Sequence, residues 1–301
     1  SITLSDNLAS IGDRAFYNCA GISGIVIPAS VTSVGTNAFS YVTGRVEFDP
    51  LSNIKSIGSS AFLNYRGCEL IIPESVTAIG SSAFGGCIAL TGITIPKNVV
   101  VIGDKAFANV TAAITFAENS AITTIGAGAF SYYKGTGITL PASVMHIGDR
   151  AFYACSELKS IDVASENPNF TSVSGVLYNK NVTNLVQYPI KRAGSEFVVP
   201  ETVTNIASYA FSHAALENIT LSANITGIGA YAFSEVTGIV EFPSNSRITT
   251  ISGQVFAGYK GTEIALPASV VNIGQNAFTD CHRLERITVD TDNTTYKTID
   301  G

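Results

Sequence analysis

One six-residue pattern returns along the whole chain and limits what it can fold into. It reads IGDRAF at 11–16, VGTNAF at 34–39, IGSSAF at 57–62 and again at 79–84, and IGDKAF at 102–107. It continues as IGAGAF at 125–130, IGDRAF at 147–152, IASYAF at 206–211, IGAYAF at 228–233, ISGQVF at 251–256 and IGQNAF at 273–278. Successive anchor phenylalanines lie 22 or 23 residues apart, except between Phe152 and Phe211. Between anchors runs a short alternating stretch rich in β-branched residues, such as Ile25-Val26-Ile27, Ile93-Thr94-Ile95 or Ile264-Ala265-Leu266. Apolar residues at period two predict a strand. Pro28, Pro73, Pro96, Pro141, Pro200 and Pro267 close several of them, where a missing N–H does least harm.

A unit this short with one strand cannot bury its own apolar face, but stacked copies can. The pattern therefore predicts a coil of repeats, each turn about 4.8 Å from the next. Thirteen such strands, from Ile2-Thr3-Leu4 to Ile287-Thr288-Val289, would give a parallel sheet roughly 58 Å along the axis before curvature. The anchor Phe column is expected inside, with the flanking Ile, Leu and Val positions. A larger period is also present: FSYVTGRVEF at 39–48 resembles FSEVTGIVEF at 233–242, and YKGTGITLP at 133–141 resembles YKGTEIALP at 259–267. A block of three turns has been copied.

One turn differs. Residues 164–196 lack the anchor and carry GVLYNKNVTNLVQYP at 175–189. Val176-Leu177-Tyr178 and Leu185-Val186-Gln187-Tyr188 read as two strands about a turn near Asn179-Lys180-Asn181. This β-hairpin over about 164–196 is either a decorated turn or a binding loop. At the C-terminus, ITVDTDNTTYKTIDG at 287–301 matches IDVASENPNFTSVSG at 161–175 without a gap. Both chain ends sit inside repeats. The expectation is a single domain over 1–301, part of a longer protein, with a second hairpin starting at the C-terminus.

The repeat C-x-x-L/I-x-x-I-x-I-P-x-x-V-x-x-I-G-x-x-A-F resembles the BspA-like class of bacterial leucine-rich repeats, over essentially all of 1–301. The GVLYN…L…YP hairpin is also similar to that family. The resemblance implies a leucine-rich-repeat solenoid: a right-handed coil with a concave parallel β-sheet and short strands or single helical turns on the back. It further implies a cell-surface or secreted, non-enzymatic binding module, with adhesion to extracellular host proteins or other cells. The alternative is a structural spacer or scaffold presenting another domain.

Little in the residues argues for chemistry. With a formal net charge of −6 and no Lys/Arg run, a nucleic-acid partner is not expected. No apolar stretch reaches the roughly 18 residues of a membrane helix. No C-x-x-C or H-x-x-x-H metal spacing and no phosphate-binding glycine loop occurs, so no metal or cofactor is expected. Cys19, Cys87, Cys155 and Cys281 each lie three residues after an anchor Phe, and Cys68 takes a neighbouring apolar slot. Coils apart, they cannot reach the roughly 7 Å a disulfide needs. All five are expected as buried free thiols. Cys281 and His282 are adjacent, but neighbours in sequence tend to point apart, so no catalytic dyad is expected.

The outward strand positions run Thr3, Val26, Glu47, Ile71, Thr94, Thr115, Thr139, Asp162, Val198, Thr220, Glu241, Ala265 and Thr288. This ladder lacks the Tyr, Trp and Arg of a strong contact site. Glu47 and Glu241 are its equivalent acids. Tyr65-Arg66-Gly67, Tyr133-Lys134-Gly135 and Tyr259-Lys260-Gly261 lead into strands. Either the tyrosines take the buried cysteine slot as a turn solution, or they lie at the rim. In the second case Tyr65, Arg66, Tyr133, Lys134, Tyr259 and Lys260 join Glu47 and Glu241 as candidate contacts for an extracellular protein or cell-surface ligand.

Overall fold

The computed structural model describes residues 1–299. Asp300 and Gly301, where the second hairpin is expected to begin, lie outside the described residues. The chain forms two compact units: Ser1–Leu158 with Asp162–Asn169, and Lys159–Ile161 with the chain from Phe170 onward. Both consist of short strands and tight turns. Among the described residues there is no helix, so the back of each coil is strand and turn, not helical turn.

In the first unit the anchor phenylalanines stack as one column. Phe16, Phe39, Phe62, Phe84, Phe107, Phe130 and Phe152 follow each other with ring centroids 5.2–5.8 Å apart and planes within 11°. This is offset stacking, favourable beyond area burial. The Ile or Val opening each anchor forms a second column: Ile11, Val34, Ile57, Ile79, Ile102, Ile125 and Ile147 pair in one parallel seven-stranded ladder.

The glycine after it is there because the coils nearly touch. A methyl on Gly103 would lie 2.7 Å from the Ser81 nitrogen and 2.8 Å from the Gly80 carbonyl carbon. Gly12 belongs to the first coil and has open space around it. Each anchor also carries two left-handed residues, two before and two after its Phe, as at Lys105 (φ 54°) and Asn109 (φ 57°). Alternate N–H groups thereby all face the next coil. Those of Lys105, Phe107 and Asn109 donate to the carbonyls of Ala127, Ala129 and Ser131 at 2.9, 2.8 and 2.8 Å.

The longer strands behave differently from the expected single sheet. Gly24–Ile27 pairs with Ile2–Thr3 on one side and Arg45–Phe48 on the other, and Gly92–Ile95 pairs with Ala113–Phe116, all parallel. Leu70-Ile71-Ile72 keeps the buried–exposed–buried alternation but joins no ladder. The strand Gly137–Leu140 likewise has no ladder to Ala113–Phe116. The cause is a buried hydroxyl. Tyr65 Oη accepts the Val46 N–H at 2.8 Å and donates toward the Glu69 carbonyl at 3.4 Å. Tyr133 Oη accepts the Ile114 N–H at 3.0 Å. Each tyrosine takes a bond that the next strand would otherwise make, and the ladder opens there.

In the second unit Phe170–Val173, Val176–Asn179 and Asn184–Gln187 pair antiparallel in that order. Asn184–Gln187 then pairs in parallel with Asn205–Ile206, placing Leu185 beside Ile206. Tyr188 stacks on Phe211 at 5.3 Å, and its N–H donates to the Ala210 carbonyl at 2.8 Å. Leu185 and Tyr188 thus do the work of the anchor Ile and Phe at shorter spacing. The column continues through Phe233, Phe256 and Phe278. Strands Glu196–Val198, Asn218–Thr220 and Ile239–Glu241 form one ladder and Glu263–Leu266 with Arg286–Val289 another. The break before Glu263 again coincides with a tyrosine: Tyr259 Oη donates to the Gly238 carbonyl at 2.7 Å.

The C-terminal echo is structural too. Asn293 Nδ2 donates to the carbonyls of Pro267 and Val270. In the first unit, Asn167 Nδ2 donates to those of Pro141 and Val144.

Candidate binding surface

The outward strand positions of the first unit form an exposed row. Val26 is 53 % and Ile71 83 % exposed, and Glu47, Thr94, Thr115 and Thr139 are exposed between and beyond them. Thr94 and Thr115 share a hydroxyl–hydroxyl hydrogen bond of 3.2 Å. Arg45 straps the row where the ladder is open, reaching Glu47 at 2.8 Å and Glu69 at 3.2 Å. In the second unit Val198 and Glu241 are exposed, and Thr220 donates to Glu241 at 3.3 Å.

The basic candidates are also on the surface. Arg66, Lys134 and Lys260 are exposed, and the backbone N–H of each donates to a valine carbonyl of the preceding coil. Lys134 Nζ donates to Ser156 Oγ at 2.7 Å, and Lys260 pairs with Glu235 at 2.7 Å. They hold equivalent places in three different coils, Arg66 and Lys134 three coils apart within the first unit. The tyrosines beside them correct the rim expectation: Tyr65, Tyr133 and Tyr259 are fully buried. Each lies three residues after an anchor Phe, in the cysteine slot, and burial pushes the Tyr259 hydroxyl up to about 12. The following glycine is part of this solution. A Cβ on Gly67, Gly135 or Gly261 would run into the ring of the tyrosine two residues before it.

A family model for the BspA-type leucine-rich repeat region matches residues 1–91, 57–183 and 193–299. The chain belongs to the BspA-type leucine-rich-repeat family. A leucine-rich cell surface protein from Faecalibacterium prausnitzii is 32 % identical, with a TM-score of 0.78 over 95 % of this chain and 78 % of that one. The pneumococcal vaccine antigen PcpA is 25 % identical, with a TM-score of 0.70 over 95 % of this chain and 68 % of that one. A leucine-rich repeat protein from Bacteroides ovatus shares the fold at 24 % identity and a TM-score of 0.57, over 97 % of this chain and 79 % of that one. A search of curated protein sequences returns no significant match.

Within this BspA-type coil the cysteines are all free, but they are not all buried. Cys87 and Cys155 are, with Sγ 3.0 Å from the carbonyls of Phe62 and Phe130. Burial pushes both thiols up to about 12. Cys19 and Cys281 are half-buried, and Cys68 is exposed because Tyr65 has taken the slot in its coil. A thiol reagent at pH 8 should therefore modify Cys68 in the first phase and Cys87 and Cys155 only as the coils open. Peptide mapping of the labelled sites checks this; rapid labelling of Cys87 would contradict the packing. Among the described residues no three His, Cys, Asp or Glu gather as a metal-ligand set, and no helix is long and apolar enough to cross a membrane.

The exposed aromatics of this BspA-type chain lie where sequence reading did not look. Tyr17, Tyr41 and Tyr132 project from the anchor turns, 46 %, 38 % and 49 % exposed. The one signal for them is that Tyr stands two residues after the anchor Phe at 41 and 132, where Asn18, Asn64, Gly86, Asn109 and Gly258 stand in other coils.

Proposed function

We propose that this chain is a non-enzymatic binding module of the cell surface or secretions that adheres to extracellular host proteins or other cells through its solenoid surface. The exposed strand row carries the reading. Val26 and Ile71 keep large aliphatic side chains in water beside the Arg45–Glu47–Glu69 strap. Exposed aliphatic side chains flanking a charged strap suit contact with another protein. The surface location of the Faecalibacterium relative and the description of PcpA as a vaccine antigen support the same reading. So does the scatter of reactive groups. Cys281 Sγ is engaged by the Phe256 carbonyl at 3.0 Å, while the neighbouring His282 is exposed. Many weak contacts along a repetitive surface sum by avidity.

The test is saturable binding of this chain to immobilised extracellular-matrix proteins and to epithelial cells. Joint substitution of Val26 and Ile71 by Thr, the residue at the outward positions 94 and 115, should weaken binding several-fold while leaving the fold intact, since both side chains are exposed. Unchanged affinity would exclude that surface. No binding at all would favour a spacer that presents another domain.

A further inference from the structure

The anchor-turn ridge of the first unit carries exposed aromatic rings that the core does not use. The residue two after each anchor Phe has a positive φ in every coil. Asn and Gly adopt that conformation most cheaply; in the first unit Asn18, Asn64, Gly86 and Asn109 follow the rule, and Ala154 departs from it with only a methyl group. Tyr41 (φ 62°) and Tyr132 (φ 58°) break it with a bulky ring that is also left exposed. A bulky ring held exposed in this conformation, outside the core, marks a position to test for function.

Each of these rings meets another from the adjacent coil at a right angle. Tyr17 and Tyr41 stand 5.7 Å apart with planes at 77°, Tyr132 and Tyr153 5.6 Å apart at 88°. Two perpendicular rings form a corner with one apolar face and a polar hydroxyl rim. Between the corners the ridge drops. The positions after the anchor Phe are Gly85-Gly86 in the middle coil, both buried, with Asn64 and Asn109 on either side. From Tyr41 to Tyr132 is four coils, about 19 Å at 4.8 Å per coil. The result is a low saddle with amide groups on its floor and an aromatic corner at each end.

We propose that this saddle binds a linear neutral glycan, its end sugars seated in the aromatic corners and its hydroxyls bonded by Asn64 and Asn109. The chemistry selects this class. The C–H face of a pyranose packs on an aromatic face, planar amides both donate to and accept from vicinal hydroxyls, and the floor residues Asn64, Gly85, Gly86 and Asn109 are themselves uncharged. An extended, repeating ligand also matches two like corners set apart along one axis. The proposal rests on the binding-module reading and adds a second surface to it.

The test uses Tyr41→Asn with Tyr132→Asn, substitutions that install the residue found at this position in neighbouring coils. The variant should stay close to the parent's stability in urea, because relief of backbone strain offsets the loss of the two ring pairs. Affinity electrophoresis in gels containing β-glucan, mannan or N-acetylglucosamine oligomers is the readout. Retardation of the parent by one of these, reduced at least tenfold in apparent affinity by the double substitution, supports the proposal. No retardation by any of the three overturns it, as does retardation that survives the substitution. If the double variant instead loses matrix-protein binding and no glycan retards the parent, the ridge is a protein contact and the glycan assignment fails. The module reading then stands. Absence of both protein and glycan binding removes the module reading itself.

Discussion

Replacing Phe107 by Ala should destabilise the protein by about 3–5 kcal/mol, the range for a large aromatic removed from a packed core. Phe107 is fully buried between Phe84, at 5.3 Å, and Phe130, at 5.8 Å. Its loss removes two stacking contacts at once and leaves a gap that the rigid coils above and below cannot close. Phe16 provides the internal control. It is only half-buried and stacks on one side, against Phe39 at 5.2 Å. Phe16→Ala should therefore cost less than half as much. In a stack of coils, stability is a sum of repeat and interface contributions, so the loss at Phe107 falls on two interfaces and that at Phe16 on one. Urea unfolding followed by tyrosine fluorescence gives both values, since the chain contains 12 Tyr and no Trp. Equal costs at the two positions would mean that the column is not what couples neighbouring coils.

The column was legible because its cause is local. A Phe at fixed spacing, a glycine where coils touch and a β-branched run before a Pro each leave a residue-level mark. What was not legible arises between coils. Leu185 and Tyr188 stand three positions apart, whereas the ordinary anchor separates Ile from Phe by five. Only the stacking of Tyr188 on Phe211 shows that the anchor persists there. Ala207, the one alanine in the anchor-glycine position, donates to Leu185 of that shortened coil at 2.9 Å. The strand at Leu70–Ile72 has the right residues and the right alternation, yet it joins no ladder because Tyr65, from its own coil, has taken the Val46 N–H.

The surface followed the same division. Alternation correctly placed Val26, Glu47 and Ile71 outward. The periodic Tyr–basic–Gly motif suggested contacts, but its tyrosine is core and only its basic residue reaches solvent. The ring pairs Tyr17–Tyr41 and Tyr132–Tyr153 leave no local mark because their members are 24 and 21 residues apart. They meet only once the coils stack.

The second large effect is expected at Gly135. A methyl group there would occupy the space of the Tyr133 ring and hydroxyl, so Gly135→Ala must push the tyrosine out of its slot. The Ile114 N–H then loses the acceptor it has at 3.0 Å, and the core loses a fully buried aromatic. Together these should cost about 3 kcal/mol or more. The decisive measurement is a double-mutant cycle with Tyr133→Ala. Once the ring is gone the added methyl meets empty space, so Gly135→Ala should be close to neutral in that background. The coupling energy should then approach about 3 kcal/mol, at the top of the range for residues in direct contact. If the two costs simply add, the glycine serves the turn alone and the tyrosine does not depend on it. A positive cycle would instead show that tyrosine and glycine act as one device, repeated at Tyr65-Gly67 and Tyr259-Gly261, which sets where the strand ladder opens.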